Sequence, residues 1–316
     1  MTTPADPKIP LRKKIAYAAP AYALAIIGIP VYVYIPKFFW ISVLYAPLLV
    51  GTAWWCVLAI QERRPRPSQS ALGLATGFRQ VARNRPFMIL LVAYTISAIG
   101  NNLPATLILF YVQYVLQSDL ADFFLLLYFV TGILFLPGWI YISRRTGKKA
   151  AWLASMAINS GAFLGVFFLG PGDAWIYGIL VTLSGIGFGA ALALPSAIQA
   201  DVIDYDELLT GERREGQYIG WWSISKKLAA AVGIGAGLAI LGMAGYVPNV
   251  EQTPAVQLAL RILYALVPSL FNLLGLAVAL AYPISDQIHT RIKEAIEKKR
   301  AGEDFVNPLA MAGRAG

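Results

Sequence analysis

Acidic and basic side chains crowd the segment ADVIDYDELLTGERREGQ, residues 200 to 217. Asp201 and Asp204 lie three positions apart, so they share a face wherever a helix continues through them. A carboxylate pair at the mouth of a helix can hold an arginine from elsewhere and close one side of a transport path. Tyr205 follows at once, and Arg213 lies further along the same segment. A solvated loop is the alternative interpretation of these charges.

Two adjacent lysines, Lys226 and Lys227, follow shortly in an otherwise apolar run. If a helix begins near Gln217, Lys227 lies roughly 15 Å along it. A lysine at that depth in a bilayer costs about 2.5 to 3.5 kcal/mol, which predicts a paired or water-lined position. Ser223 shares the face of Lys227, whereas Trp222 shares the face of Lys226. The alternative is a helix that begins near residue 225, with both lysines at the interface.

Amide side chains form a second polar group within apolar segments. Asn101 and Asn102 precede Pro104, and this combination suggests a broken helix that lines a cavity. Hydrogen bonds between helices are the alternative, and they are the expected role of the remaining buried amides, which are Asn159, Gln199 and Asn272.

The chain lacks the residues that several kinds of chemistry require. The single histidine, His289, lies beyond the last apolar run, which argues against a buried Ser-His pair or an HExxH zinc site. The chain has no GxxxxGK[ST] loop to cradle a nucleotide phosphate. The one cysteine, Cys56, cannot form an intramolecular disulfide. The sequence therefore predicts a protein that is not an enzyme and has no cofactor, and it leaves transport, channel or structural roles.

Composition indicates the medium in which these residues work. The chain of 316 residues is 58% hydrophobic and 14% charged, with a mean hydropathy of +0.61. Soluble domains carry about 25% charged residues. Apolar runs of about 20 residues, enough to cross about 30 Å of hydrocarbon, recur along the chain. We predict an all-α membrane protein with about eight spans, at 15–36, 40–60, 87–116, 120–142, 150–169, 174–199, 218–243 and 260–284.

The net charge of +9 is distributed unevenly. Basic residues concentrate in alternate connections between spans, as expected of cytoplasmic loops. We therefore expect a bacterial-type inner membrane protein with cytoplasmic termini and anionic inner-leaflet lipid as partner, and no nucleic acid. Residues 70–87 read as a basic amphipathic helix at the membrane surface, or as a plain linker. The tail from Arg291 is predicted to be helical at first and then disordered.

The motif DVIDYDELLTGERREG, the lysine at 227 and the later GYVPNVEQ (residues 245–252) together carry a resemblance to a known family. The sequence resembles the glycoside–pentoside–hexuronide:cation symporters, the melibiose-carrier branch of the major facilitator superfamily. The resemblance implies that Lys227 belongs to the central sugar and cation site. It also implies that Asp201 and Asp204 form a cytoplasmic gate. Other candidates are Trp222, Ser223, Asn101, Asn102 and Tyr22 on the substrate side, and Tyr205 and Arg213 at the gate.

The resemblance covers a complete C-terminal six-helix bundle and two further helices. These two resemble the first and sixth helices of the family and adjoin near Trp40, so helices two to five are expected to be absent. The implied domains are a truncated N-terminal bundle (1–60), a linker (61–86), the C-terminal bundle (87–290) and a tail (291–316). The carboxylates that bind the cation in the family belong mainly to the missing helices, and spans one and two contain no acidic residue.

The implied activity is symport of a glycoside, pentoside or hexuronide with Na⁺ or H⁺. Two alternatives remain: a non-transporting membrane remnant or interaction protein, and a carrier of amphiphiles such as lysolipids with the same fold. Alternating access is a movement of one bundle against another. A chain with one reduced bundle therefore raises the alternative of a homodimer, in which a second copy supplies the missing partners of Lys227.

Overall fold

The computed structural model of the chain describes residues 39–59 and 74–312. The chain divides into two compact units, Met1–Ala71 and Leu72–Gly316. The first contributes helix α1, Phe39–Ala59, whose Trp54 and Val57 side chains are exposed. The predicted first span and Tyr22 lie outside the described residues.

The second unit is a bundle of helices, and the described part of the chain contains no strand. Its first helix, α2 (Leu74–Val81), lies in the segment before the predicted spans. The prediction of a helix in this segment is therefore confirmed. The helices are α2 (Leu74–Val81), α3 (Arg85–Tyr114), α4 (Ala121–Thr146), α5 (Lys148–Val166), α6 (Ala174–Thr210), α7 (Glu215–Met243), α8 (Pro254–Arg261), α9 (Val267–Leu280), α10 (Asp286–Ala301) and α11 (Pro308–Ala312).

Within residues 39–59 and 74–312, five helical segments are long and apolar enough to cross a membrane, namely α3, α4, α6, α7 and the continuous stretch Pro254–Leu280. That stretch joins α8 to α9 through a π-helical turn, Ile262–Leu266. The turn ends two residues before Pro268, which has no N–H for a regular ladder. These segments and α5, which has 19 residues, correspond to the six spans expected after residue 86. The prediction of an all-α membrane protein is confirmed.

Glycines allow the helices to approach one another closely. A Cβ at Gly233 of α7 would collide with the backbone oxygen of Ile99 in α3, and one at Gly237 would collide with Leu103. Small residues at a crossing permit such contact in membranes. Gly233 and Gly237 are therefore packing residues, whereas Gly235 has open space around it.

Helix α3 continues from Arg85 to Tyr114 with Pro104 inside it. The predicted break at the two asparagines is therefore wrong. The missing N–H of a proline leaves one carbonyl a turn earlier without its partner, and neighbouring helices can satisfy such groups. Pro104 itself is buried among them.

The end of the chain folds back onto the bundle. Ser285 caps the start of helix α10, and its hydroxyl accepts from the backbone N–H of Ile288. Ile292 of α10 is fully buried. Beyond α10, the Asn307 amide donates to the Tyr205 hydroxyl at 3.3 Å. The expectation of a disordered tail is wrong for the residues up to 312, because these contacts bind the segment to α6.

Candidate functional site

Asp201 and Asp204 lie on the last turns of α6, a helix of 37 residues. At 1.5 Å per residue α6 measures about 55 Å, so part of it extends beyond about 30 Å of hydrocarbon. Lys148, at the start of α5, donates to both oxygens of Asp201 at 2.6 and 2.7 Å. Asp201 of the predicted pair thus holds a lysine from a neighbouring helix, whereas the sequence suggested an arginine held by the pair.

His289 of α10 completes this cluster. Its Nε2 lies 2.9 Å from Oδ2 of Asp204, and its Nδ1 lies 3.3 Å from Oδ1 of Asp201. The histidine is buried. The sequence did not indicate this role, because His289 follows the last predicted span. The signal that could have identified it is the Ser285 cap, since a new helix there turns the chain back toward the α6 end.

A second ion pair involves Arg214, the neighbour of the predicted Arg213. Arg214 donates to Asp206 at 2.9 Å through Nε and to Gln80 of α2 at 2.6 Å. The hydrogen bond to Asp206 raises the pKa of the Arg214 guanidinium above its usual value. This pair joins the ends of α2, α6 and α7 at the same end of the bundle.

Arg213 is more exposed and binds other carboxylates. It contacts Glu215, and Glu207 at 3.5 Å. Within the described residues it forms no ion pair with Asp201 or Asp204. Tyr205 is buried in the core, where its hydroxyl receives the Asn307 amide. The four predicted gate residues therefore lie at one end of the bundle, where Asp201 and Asp204 share His289 and the other two residues have different partners.

Lys227 lies in the middle of α7, about 18 Å from its first residue at 1.5 Å per residue. Helix α7 begins at Glu215, so the alternative of a start near residue 225 is wrong. The Lys227 side chain is exposed, as is Ser223 one turn earlier. Across residues 39–59 and 74–312, no ion pair to this lysine is formed.

Trp222 faces the other way, into the bundle. Its ring stacks on Tyr94 of α3 with centroids 4.1 Å apart, and it is 8% exposed. The structure thus separates Trp222 from the face of Ser223 and Lys227, as the helical period requires. Only the latter two residues lie on the same exposed surface.

Asn101 forms a polar network at mid-height in the bundle. Its Oδ1 accepts from Asn272 at 2.8 Å and from Asn159 at 3.2 Å. The Ser184 hydroxyl donates to Asn159 at 2.7 Å. Four helices meet here, so Asn101 makes the bonds between helices that were the alternative to cavity lining. Asn102 donates to the Ala98 carbonyl at 2.6 Å.

In the described ranges, no group of three or more His, Cys, Asp or Glu could hold a metal ion. The carboxylates of α6 are engaged by Lys148, His289, Arg214 and Arg300.

The family model described as MFS/sugar transport protein matches residues 16–286. The chain belongs to this family. The resemblance to the glycoside–pentoside–hexuronide:cation symporters is thereby confirmed, and with it a multi-pass membrane location. The match includes the long helices of the second unit and the carboxylates of α6.

Curated relatives carry names of several transported compounds. The chain is 29% identical to the glucuronide carrier protein homolog of Escherichia coli over 234 residues, 72% of this chain and 50% of the relative. It is 29% identical to a putative 2,3-dihydroxypropane-1-sulfonate exporter of Salmonella typhimurium (78% and 55% covered). It is 27% identical to a putative sulfoquinovose importer of the same species (84% and 57% covered). The chain spans about half the length of these relatives.

Proposed function

We propose that this chain serves secondary active transport, as a symporter that couples a sugar derivative to Na⁺ or H⁺. The observation that carries the proposal is Lys227, an exposed ammonium group at mid-height of an apolar helix. Burial of a lysine at this depth in lipid costs about 2.5 to 3.5 kcal/mol. A charge at this depth avoids that cost where it faces a water-filled path or pairs with a substrate or a carboxylate.

The substrate class follows from the chemistry of this surface and from the relatives. Glucuronide, sulfoquinovose and 2,3-dihydroxypropane-1-sulfonate, which name the relatives, are all polyhydroxylated anions. We propose that Lys227 binds the acidic group of a hexuronide or a similar sugar acid, and that the Ser223 hydroxyl binds a sugar hydroxyl. Neutral glycosides and pentosides would use the same hydroxyl without the ion pair.

The cytoplasmic gate is the second part of the proposal. Asp201, Asp204, Tyr205 and Arg213 lie at the end of the bundle from which the basic connections emerge. We propose that this end faces the cytoplasm of a bacterial-type inner membrane, where anionic lipid contacts the basic side chains.

Completeness of the transport path is a separate condition. The chain spans about half the length of its relatives, and alternating access needs a second bundle. We propose that the position of the missing helices is internal, between the segments that resemble helices one and six. A second copy of the chain, in a homodimer, is one source of carboxylates for Lys227. If neither the missing helices nor a second copy supplies these carboxylates, the chain is a membrane protein that does not transport.

Uptake into proteoliposomes tests the proposal. Purified chain is reconstituted, and accumulation of a labelled glucuronide is measured with an imposed Na⁺ or H⁺ gradient. We expect accumulation above protein-free vesicles, and a loss of at least about tenfold in Lys227→Ala, which corresponds to about 1.4 kcal/mol of lost substrate binding.

Lys226→Ala is the matched control, because Lys226 is also exposed but lies on a different face. It should retain uptake within about twofold of the original chain. Equal losses in both variants would contradict the role of Lys227, and no accumulation by the unaltered chain would contradict transport itself. Inhibition by lysolipid but not by sugar acids would favour an amphiphile carrier instead.

A further inference from the structure

The single histidine of the chain lies between two carboxylates, and its role there is unassigned. His289 presents Nε2 to Asp204 at 2.9 Å and Nδ1 to Asp201 at 3.3 Å. A neutral imidazole has one N–H and one acceptor nitrogen, whereas an imidazolium has two N–H groups. When both carboxylates are ionised, both contacts are therefore attractive only if the ring carries two protons.

The loss of one proton changes this geometry. The deprotonated nitrogen becomes an acceptor that faces a carboxylate oxygen, so two lone pairs oppose each other. Histidine is the side chain that ordinarily changes charge between about pH 5 and 8. The contact is thus favoured while the ring holds two protons and is weakened when one of them is released.

Charged groups of the neighbouring helices interact with the two aspartates that contact the ring. Lys148 of α5 binds Asp201 from the other side. Lys293 of α10 and Arg213 interact electrostatically with Asp204. Burial raises the pKa of the Tyr282 hydroxyl, and the negative charges of Asp201 and Asp286 raise it further, so this group stays neutral. With a protonated ring, Lys148 and His289 balance the two aspartates, and with a neutral ring one negative charge remains.

We propose that His289 is a proton-operated positioning residue that holds Asp201 and Asp204 against α10 when its ring is doubly protonated. Release of the proton frees one carboxylate for a cationic partner elsewhere. That this carboxylate pair acts as a cytoplasmic gate rests on the proposed function; the proton-dependent contact does not.

Nuclear magnetic resonance of ¹⁵N-histidine in the purified full chain reads this contact directly, because the chain has one histidine. We expect both ring nitrogens to be protonated at pH 6 and one to be unprotonated at high pH. In Asp204→Asn, the second proton should leave at a pH about one unit lower, because an opposite charge near the ring has been removed. A neutral ring at pH 6, or the same titration in both proteins, would overturn the proposal.

Deuterium exchange separates proton operation from a purely structural role. After correction for intrinsic exchange, amides in the second turn of α10, which donate to carbonyls of the first turn, should exchange roughly tenfold faster at pH 8.5 than at pH 6, as expected from the loss of one charge-assisted hydrogen bond. His289→Arg, which keeps a permanent cation, should remove this difference. The same pH difference in His289→Arg would overturn the proposal.

Arg300→Gln is the control, because Arg300 joins α10 to Glu207 of α6 without touching His289. The titration of the His289 ring in this variant should match that in the unaltered chain. A large change would contradict a local role for the two aspartates. Neither measurement needs transport. A chain that takes up no sugar but titrates as expected would therefore contradict the proposed function and support this inference.

Discussion

Arg213 and Arg214 are neighbours in the chain that meet very different surroundings. The side chain of Arg214 is 12% exposed and its partner Asp206 is 3% exposed, whereas Arg213 is 56% exposed. An ion pair in water is worth little, because both ions are well solvated when apart. Removal of one partner from a buried pair leaves an uncompensated charge, and this is costly.

We therefore expect Arg214→Ala to lower the free energy of unfolding by about 3 kcal/mol or more. Arg213→Ala should lower it by less than about 1 kcal/mol. Chemical denaturation in detergent, followed by circular dichroism, gives both values. Similar losses in the two variants would show that the burial difference has no energetic effect.

Lys227 owes its importance to position alone. The side chain is chemically equivalent to Lys226, yet a turn of about 100° per residue places it beside Ser223 instead of Trp222. The charge of this face is what a sugar acid or a carboxylate would recognise. The uptake comparison of the two alanine variants therefore tests a property of single residues.

At the scale of elements, helix α7 contacts the bundle through one narrow stripe. Tyr218, Trp222, Gly233 and Gly237 belong to its buried face, and the opposite face of the helix is exposed. The glycines bring the backbone of α7 against α3, which places Lys227 on the far side from the core. The contact between α3 and α7 therefore determines which residues of α7 face outward.

Gly233→Ala should disturb this contact. The added Cβ would meet the backbone oxygen of Ile99, which cannot turn away as a side chain can. We expect a loss of about 1 to 3 kcal/mol in stability, typical of overpacking. Thermal unfolding in detergent measures it.

Gly235→Ala provides the control, because nothing lies within 4 Å of its added Cβ. Replacement of an exposed helical glycine by alanine stabilises a helix by up to about 1 kcal/mol. The two substitutions should therefore have opposite signs. A lower melting temperature in both would indicate that α7 needs glycine for a reason other than its crossing with α3.

At the scale of the whole molecule, charge is segregated along the bundle axis. The clusters that contain Lys148, Arg214 and His289 lie at one end, together with the start of α3. The opposite connections, such as the one that contains Asp119, carry few basic residues. The cytoplasmic side of a membrane protein retains the excess of Lys and Arg.

Thiol labelling tests the resulting orientation. In a Cys56→Ser background, Asp119→Cys should react with a membrane-impermeant maleimide in intact bacterial spheroplasts. Glu303→Cys should react only after permeabilisation, because it lies at the end that carries the basic clusters. The reverse pattern would contradict the proposed orientation, and labelling of both sites without permeabilisation would indicate mixed insertion.

Much of the fold follows from composition and pattern. Apolar runs longer than about 20 residues must form helices in lipid, since each backbone polar group needs a partner there. The six spans after residue 86 were predicted for this reason. The break at Asn101 and Asn102 was predicted wrongly, because neighbouring helices accept the polar side chains and α3 continues through Pro104.

Hydropathy, charge asymmetry and short motifs are local properties, so the membrane class, the family and the candidate residues could be predicted without a structure. The partners of these residues could not, because they come from helices that are distant in the chain. His289 reaches Asp201 and Asp204 across more than 80 positions in the chain, and Arg214 rather than Arg213 enters the buried pair. These choices depend on the distances between helix ends, which arise from packing and leave no periodic signal along the chain.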